Sequence, residues 1–309
     1  MSKENTAVTK KKMKRCKEDV VFDTACFIIL TLVLFVVAYP LYWVIISSIS
    51  APSAVSSGKV LLHPIGFTLK GYAEVFKNDQ VMRGFLNSLI ITFCGVMVNL
   101  IVTLPTSYAL SRSNFSGKKP ITIFYLITMF FGGGLIPTYL VIQKLQMLNT
   151  IWALILPGCL SVYNMIVART FFKSNISEEL YEAAEIDGCT QARFFFQIAL
   201  PLSKAIIAIL VLYYGVGHWN SYFSALVYIS DKAKYPLQLV LRNILITSQT
   251  ALSQTATTAA ARAALQEKQQ LIDVMKYSLI IISSIPVLVM YPLVQKHFVK
   301  GVMIGSMKG

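Results

Sequence analysis

The chain has 309 residues, of which 55% are hydrophobic and 14% charged, and its formal net charge is +14. A soluble domain has charge on about a quarter of its residues, so the composition disfavours a soluble protein. The basic residues cluster in short connections and beside apolar blocks. The positive charge therefore indicates membrane topology and attraction to lipid head groups, and no binding to nucleic acid is expected.

Six blocks contain no Asp, Glu, Lys or Arg, and they occupy residues 25–49, 84–110, 120–143, 145–168, 205–230 and 277–295. A helix needs roughly 20 apolar residues to cross the hydrocarbon layer, and every block except the last exceeds this length. Lipid offers the backbone no hydrogen-bond partners, which favours helices. The sequence therefore predicts an all-α membrane protein with six transmembrane helices, at about 22–49, 84–110, 120–143, 147–171, 202–228 and 274–296.

Residues 1–20 form a basic tail, and residues 21–309 form the predicted transmembrane domain. The apolar run after the tail has 25 residues, whereas the apolar region of a cleaved signal peptide has about 7–15. We interpret it as a retained first span. Basic residues also fill the connection after the second span and follow the sixth, so both termini are expected in the cytoplasm.

The third block is interrupted by glycines and a proline, Gly132, Gly133, Gly134 and Pro137. Such residues weaken or bend a helix, and lipid tolerates a break only where neighbouring helices or a cavity satisfy the backbone. Two interpretations stay equally open. The break is a hinge or gate beside a pathway, or it allows close packing of helices.

The segment 169–204, between the fourth and fifth spans, has the most informative pattern. Ser177 is a good N-cap for a helix, Glu179 complements the helix dipole in the first turn, and Gly188 can end the helix. Thr190 can cap a second short helix that ends before Pro201. The pattern predicts a helix–turn–helix on the cytoplasmic side, with its first helix at about 177–188.

The spacing within this first helix places four residues on one face, Leu180, Ala183, Ala184 and Asp187. The two alanines allow close approach of another surface, while Glu182 offers charge for pairing. Three phenylalanines follow the turn and are expected to anchor it to the spans, Phe194, Phe195 and Phe196. These features favour a docking element over a solvated connector.

The order Glu182-Ala183-Ala184, three residues, Gly188, nine residues, Ile198, one residue and Leu200-Pro201 resembles the EAA signature of binding-protein-dependent ABC importer permeases. Residues 85–309 also resemble the carbohydrate-uptake branch of type I importers. The segments that match this branch are 131–139, 149–154, Trp219-Asn220 and 300–309. The glycine-rich third span resembles the complex-oligosaccharide (LplC-like) group.

This resemblance implies a type I ABC importer permease (MetI-like) fold with a cytoplasmic coupling helix, in a bacterial plasma membrane. It implies a second permease subunit, two ATPase subunits, an extracellular substrate-binding protein and a saccharide substrate. Contact with the ATPase is expected from Glu179, Glu182, Ala183, Ala184, Asp187 and Gly188. ATP and Mg are expected in the ATPase and no cofactor in this chain, which also lacks the phosphate-binding Gly-x-x-x-x-Gly-Lys-Ser/Thr motif.

Polar residues inside the spans are the candidates for the sugar pathway. Amide side chains and aromatic rings together are typical of sugar sites, which points to Asn87, Asn164, Trp219 and Asn220. A structural interpretation has more weight, because polar residues often join membrane helices and aromatic residues at span ends often mark the interface.

Other functions are less compatible with the sequence. An ABC importer permease for another solute stays open. An ion-coupled secondary transporter would need charged residues within the spans, and the six blocks contain none. An intramembrane protease would need a paired nucleophile and base, and the scattered histidines and cysteines offer neither such a pair nor a metal site.

Overall fold

The computed structural model describes the backbone of residues 17–251 and 259–305, with side chains described in 17–246, 269–292 and 294–295. Most of the predicted basic tail thus lies outside the described residues. The described backbone is mainly helical. Its helices are α1 (Lys17–Ser48), α2 (Pro52–Ser56), α3 (Lys70–Lys77), α4 (Asp79–Ser111), α5 (Lys118–Phe130), α6 (Leu135–Lys144), α7 (Trp152–Ile155), α8 (Val162–Asn175), α9 (Glu178–Ile186), α10 (Gln191–Phe194), α11 (Leu200–Leu202), α12 (Lys204–Trp219), α13 (Tyr222–Tyr228), α14 (Leu237–Ala251) and α15 (Ala259–Gly305).

Three of the described helices are long and apolar enough to cross a membrane, namely α1, α4 and the Gln269–Pro292 part of α15. Three further pairs of helices reach that length only when each pair is counted as one bent span, which gives up to six. These helices confirm that the chain is a membrane protein built from α-helices.

The bent pairs correct the prediction of continuous fourth and fifth spans, whereas the interruption of the third was predicted from its glycines and proline. The third span bends by 113° between α5 and α6, at residues 131–134, and Pro137 lies inside the first turn of α6. The predicted span 147–171 is broken between Gly158 and Val162 with a 52° bend. The predicted span 202–228 starts at Lys204, after an 80° bend, and is interrupted between Trp219 and Tyr222.

Helix α4 lies at the centre of the fold and contacts α8, α12 and α14. It spans about 50 Å, because 33 residues rise roughly 1.5 Å each. Its last residue lies beside α9, so its first residue, Asp79, marks the opposite end of the molecule, which we call the far end. The predicted sixth span, 274–296, lies within the longer α15.

Most of helix α1 stands apart from this body, and only its C-terminal part packs on α15. Its only buried residues are in its last turn, Ile46, Ser47 and Ser48, and its apolar side chains before them are mostly exposed. The Nε1 of Trp43 donates to the carbonyl of Val60 at 2.8 Å and fixes the helix end to the α2 segment. An exposed apolar helix of this kind is stable only against lipid or another apolar surface.

Candidate functional site

Helix α9 is a short, well-capped helix that follows α8 directly. The Oγ of Ser177 accepts a hydrogen bond from the amide of Leu180 at 3.3 Å, as the predicted N-cap requires. After Asp187 the chain turns through Gly188, whose φ of 74° is in the left-handed region. The amide of Cys189 then donates to the carbonyl of Ala184 at 2.9 Å. Both ends of the helix are therefore fixed.

One face of α9 packs on the protein and the opposite face is open to solvent. Tyr181 and Ala184 are buried, whereas Glu179, Glu182, Ala183 and Asp187 are exposed. The four residues predicted to share one docking face are therefore divided. Ala184 lies on the inner side of α9, whereas Leu180, Ala183 and Asp187 do not. The side chain of Ile186 is 87% exposed at the end of the helix, and the sequence analysis did not single it out.

The inner face of α9 rests on a cluster of aromatic residues. Tyr181 packs edge-to-face on Phe194, with ring centroids 5.3 Å apart. Phe194 is fully buried, and Phe195 lies 5.0 Å from Tyr108 of α4. Phe196 is 65% exposed, so the predicted anchor consists of two phenylalanines and not three. Phe195 begins a π-helical turn that runs to Ala199.

An ion pair joins the start of α9 to the end of α4. The Nη2 of Arg112 donates to Oε2 of Glu178, and the amide of Ser113 donates to Oε1 at 3.0 Å. The guanidinium carbon of Arg112 also lies 4.3 Å from the ring centroid of Tyr181, a cation–π contact. Sequence reasoning missed this pair, because 66 residues separate its members.

The pKa of the Glu178 carboxyl reflects opposing causes. Partial burial raises it, but hydrogen bonds from Ser113 and the positive charges of Arg112 and Lys118 lower it more. The net pKa lies below its ordinary value of 4.5. Glu178 is therefore ionised at neutral pH and available to pair with Arg112.

A row of buried polar residues connects α4 to the broken fourth span and to α12. Asn99, Thr103 and Ser107 are fully buried and four residues apart, so they lie on one side of α4. The Nδ2 of Asn99 donates to the carbonyl of Gly158 at 2.8 Å, and the Oγ of Ser107 donates to the carbonyl of Met165 at 3.1 Å. We call these three residues the polar seam.

Thr103, in the middle of the polar seam, is linked to the start of α8 through Tyr214 of α12. The hydroxyls of Thr103 and Tyr214 are 2.7 Å apart, and the amide of Ser161, the N-cap of α8, donates to the Tyr214 hydroxyl at 3.2 Å. The seam thus satisfies backbone groups that the break before α8 leaves free, which lipid cannot do.

Comparisons with known proteins identify the family. The chain is 36% identical over 288 residues to the polygalacturonan/rhamnogalacturonan transport system permease protein YtcP of Bacillus subtilis, which covers 93% of this chain and 98% of that protein. It is 38% identical to Protein LplC of the same organism, over 96% of this chain and 98% of that protein. No family-level sequence model matches.

The chain belongs to the sugar ABC transporter permeases. A crystal structure of a bacterial ABC transporter involved in import of the acidic polysaccharide alginate contains a chain with the same fold. Its TM-score is 0.82 at 27% identity, and the match covers 92% of this chain and 99% of that chain. The resemblance stated from the EAA signature is therefore confirmed, and the chain is a transport subunit of a sugar importer.

Two of the four pathway candidates of this permease form hydrogen bonds to backbone carbonyls of other segments. The Nδ2 of Asn87 donates to the carbonyls of Ala233 at 2.8 Å and Tyr235 at 3.1 Å, which uses both of its hydrogens. Trp219 is 2% exposed, and its Nε1 donates to the carbonyl of Ser283 at 2.9 Å. These bonds give both side chains a structural role in this conformation, and sugar contact stays a prediction for both.

The other two candidates differ in exposure. Asn164 is buried near the start of α8, beside the break in the fourth span. Asn220 is exposed just beyond α12, and its Oδ1 lies 3.5 Å from the Nε2 of Gln238. Both stay predictions as pathway residues.

The glycine break in the third span is open to its surroundings. Gly132, Gly133 and Gly134 are exposed, and Gly134 has a φ of 87°. Among the described residues, no atom lies within 4 Å of a Cβ placed at Gly132 or Gly134. Close packing within the described part of the chain therefore does not explain these glycines, and the hinge or gate interpretation stays a prediction.

The polar seam predicts a stability difference between two similar threonines of α4. We expect Thr103→Val to lower the thermal midpoint of the purified transporter, because an interhelical bond worth roughly 0.6 kcal/mol in membranes is lost. Thr106→Val is the matched control, since Thr106 bonds only to Val102 of its own helix. Differential scanning fluorimetry measures both, and equal midpoints would contradict a role for the seam.

Proposed function

We propose that the chain forms half of the translocation pathway of an ATP-driven saccharide importer and couples to a separate ATPase through α9. The six spans, three of them bent, then make up a type I (MetI-like) permease in a bacterial plasma membrane with both termini in the cytoplasm. A second permease subunit, two ATPases and an extracellular binding protein complete the assembly. ATP and Mg bind in the ATPases.

The geometry of α9 is the observation that supports this proposal. The helix is capped at both ends, its inner face rests on an aromatic cluster, and its outer face presents Glu179, Glu182, Ala183 and Ile186 to solvent. A short rigid helix transmits displacement, whereas a loop would absorb it. The Arg112–Glu178 ion pair would pass such a displacement to α4, the central span.

The proposed direction follows from the ends of α4. When α9 is on the cytoplasmic side, the far end faces outward, where a binding protein delivers sugar. YtcP is named for polygalacturonan/rhamnogalacturonan, and another relative, the permease protein GanQ of Bacillus subtilis (29% identical over 92% of this chain and 94% of that protein), is named for galactooligosaccharides. A saccharide is therefore the proposed cargo, and these names leave open whether it carries charge.

Substitutions on α9 test the coupling. We expect Glu182→Lys to abolish ATP hydrolysis stimulated by the sugar-loaded binding protein, because it reverses an exposed charge on the docking face. Gly188→Trp should do the same by placing a bulky residue at a positive φ. Reconstituted transporter in lipid vesicles provides the assay.

The matched control is Glu74→Lys, which makes the same charge reversal on a partly exposed residue at the far end. Membrane content of each variant is measured by immunoblot. Full transport by Glu182→Lys and Gly188→Trp would contradict the proposed coupling. A topology reporter that places Glu182 outside the cell would contradict it as well.

A further inference from the structure

A cavity of about 470 Å³ opens at the far end, between the start of α4, the turn before α14, α14 itself and α15. Its polar lining consists of Asn78, Gln80, Lys232, Tyr235 and Asn243. The volume is within the range of small-molecule sites, about 300–1,000 Å³. This far-end cavity has no part in the proposed coupling to the ATPase.

Local structure holds the polar residues of the cavity in place. The Oδ1 of Asn78 accepts from the amide of Gln80 at 3.0 Å as the N-cap of α4, which leaves its Nδ2 to donate. Asp231 caps the turn that carries Lys232 by accepting from the amide of Ala233 at 2.9 Å. The neighbouring Lys234 is tied to the carbonyl of Asn149 at 2.8 Å.

Lys232 differs from Lys234 in having no ion-pair or hydrogen-bond partner among the described side chains. It is exposed and lines the cavity. A flexible ammonium of this kind acts as a point charge for an anionic group. The cavity lining also includes the apolar side chains of Val240, Ile244 and Met275, which suit the carbon-bound hydrogens of a pyranose ring.

The charge of the far end agrees with an anionic ligand. The segments 49–83, 144–151, 220–246 and 269–276 contain nine Lys and Arg residues against four Asp and Glu residues. The rule that keeps basic residues in the cytoplasm acts on short loops and exempts long ones. Membrane topology therefore neither forbids this excess of positive charge nor explains it. Attraction of an anionic ligand from solution does explain it.

We propose that the far-end cavity binds a carboxylate-bearing oligosaccharide, with Lys232 paired to a carboxylate and the amides of Asn78 and Gln80 bonded to hydroxyls. This inference rests on the proposed function, which places the far end outside the cell. It adds to the proposed function that the saccharide is negatively charged. It also makes the far-end cavity the saccharide's first contact with the permease, before the saccharide enters the spans.

The test measures binding of trigalacturonate and of neutral galactotriose to the intact transporter in nanodiscs, isolated through a tag on this chain and without binding protein. We expect trigalacturonate to bind more tightly than galactotriose. Lys232→Gln should weaken trigalacturonate roughly tenfold, as loss of one hydrogen bond to a charged group implies, and leave galactotriose unchanged.

Lys77→Gln is the matched control, because it removes the same charge from the far end on a side chain that is 72% exposed and lies outside the cavity lining. Equal weakening by Lys77→Gln and Lys232→Gln would show a bulk charge effect and overturn the site. Equal binding of the two saccharides would overturn the proposal that the ligand is acidic.

Uptake into vesicles separates this inference from the proposed function. ATP-driven uptake of galactotriose alone, insensitive to Lys232→Gln, would remove the acidic site and leave the saccharide importer standing. Uptake of neither saccharide, together with no ATPase stimulation by any sugar-loaded binding protein, would remove the importer itself.

Discussion

Replacing Ile186 by aspartate should detach the ATPase from the transporter while leaving the permease folded. Ile186 is 87% exposed at the end of α9, so the permease alone gains nothing from its apolar side chain. If α9 docks into an ATPase groove, burial of an isoleucine contributes about 1.5–3 kcal/mol, and a buried aspartate adds a desolvation cost. We expect association to weaken at least about 30-fold.

The measurement is co-purification of the ATPase with tagged permease, followed by titration of the ATPase into the permease in nanodiscs. Ile186→Leu is the control, because it keeps the volume and the apolar character. The thermal midpoint of the isolated permease should be the same in both variants. Unchanged ATPase binding by Ile186→Asp would show that the end of α9 lies outside the interface.

The caps of α9 were predictable from sequence because they depend on residues close together in the chain. Ser177 and Thr190 bond to amides three residues away, and Gly188 has the positive φ that glycine allows. The inward face of α9 was less predictable, because Tyr181 and Ala184 are buried through packing on a cluster that includes Tyr108 of α4 and Phe194, which are distant in the chain or beyond the turn.

The breaks in the fourth and fifth spans were missed for a related reason. Hydropathy measures only whether a segment prefers lipid. The fourth span has no charged residue across its break at 159–161, and the bend of the fifth lies at Ser203, just before its apolar block begins. The backbone groups freed beside Gly158 are satisfied by Asn99, 59 residues away, and such a partner is invisible to any local window. The polar residues of α4 could be recognised as helix-joining in general, but their partners could not.

Loss of the Arg112 side chain should uncouple ATP hydrolysis from transport. The side chain is 12% exposed and pairs with Glu178, while its guanidinium lies within 6.0 Å of the rings of Tyr108, Tyr181 and Phe194. Arg112→Leu keeps much of the apolar contact but releases α9 from the end of α4. We expect several-fold more ATP hydrolysed per sugar transported.

Folding should survive this change, because the Glu178 side chain is 43% exposed and water can solvate the released carboxylate. Arg112→Lys keeps the charge but loses the planar stacking, so it should give an intermediate ratio. The ratio is measured in vesicles as phosphate released per labelled sugar imported. A normal ratio in Arg112→Leu would refute transmission through this pair.

The acid dependence of the same pair provides an independent check. The pKa of Glu178 is lowered in the folded protein, so its pairing stabilises the fold above the ordinary carboxyl pKa and is lost as the pH falls through the lowered value. Wild type should therefore have a higher thermal midpoint than Glu178→Gln at pH 7, and the difference should vanish in acid. Equal midpoints at pH 7 would mean that the carboxylate charge contributes nothing, and that α9 is held to α4 by the aromatic contacts alone.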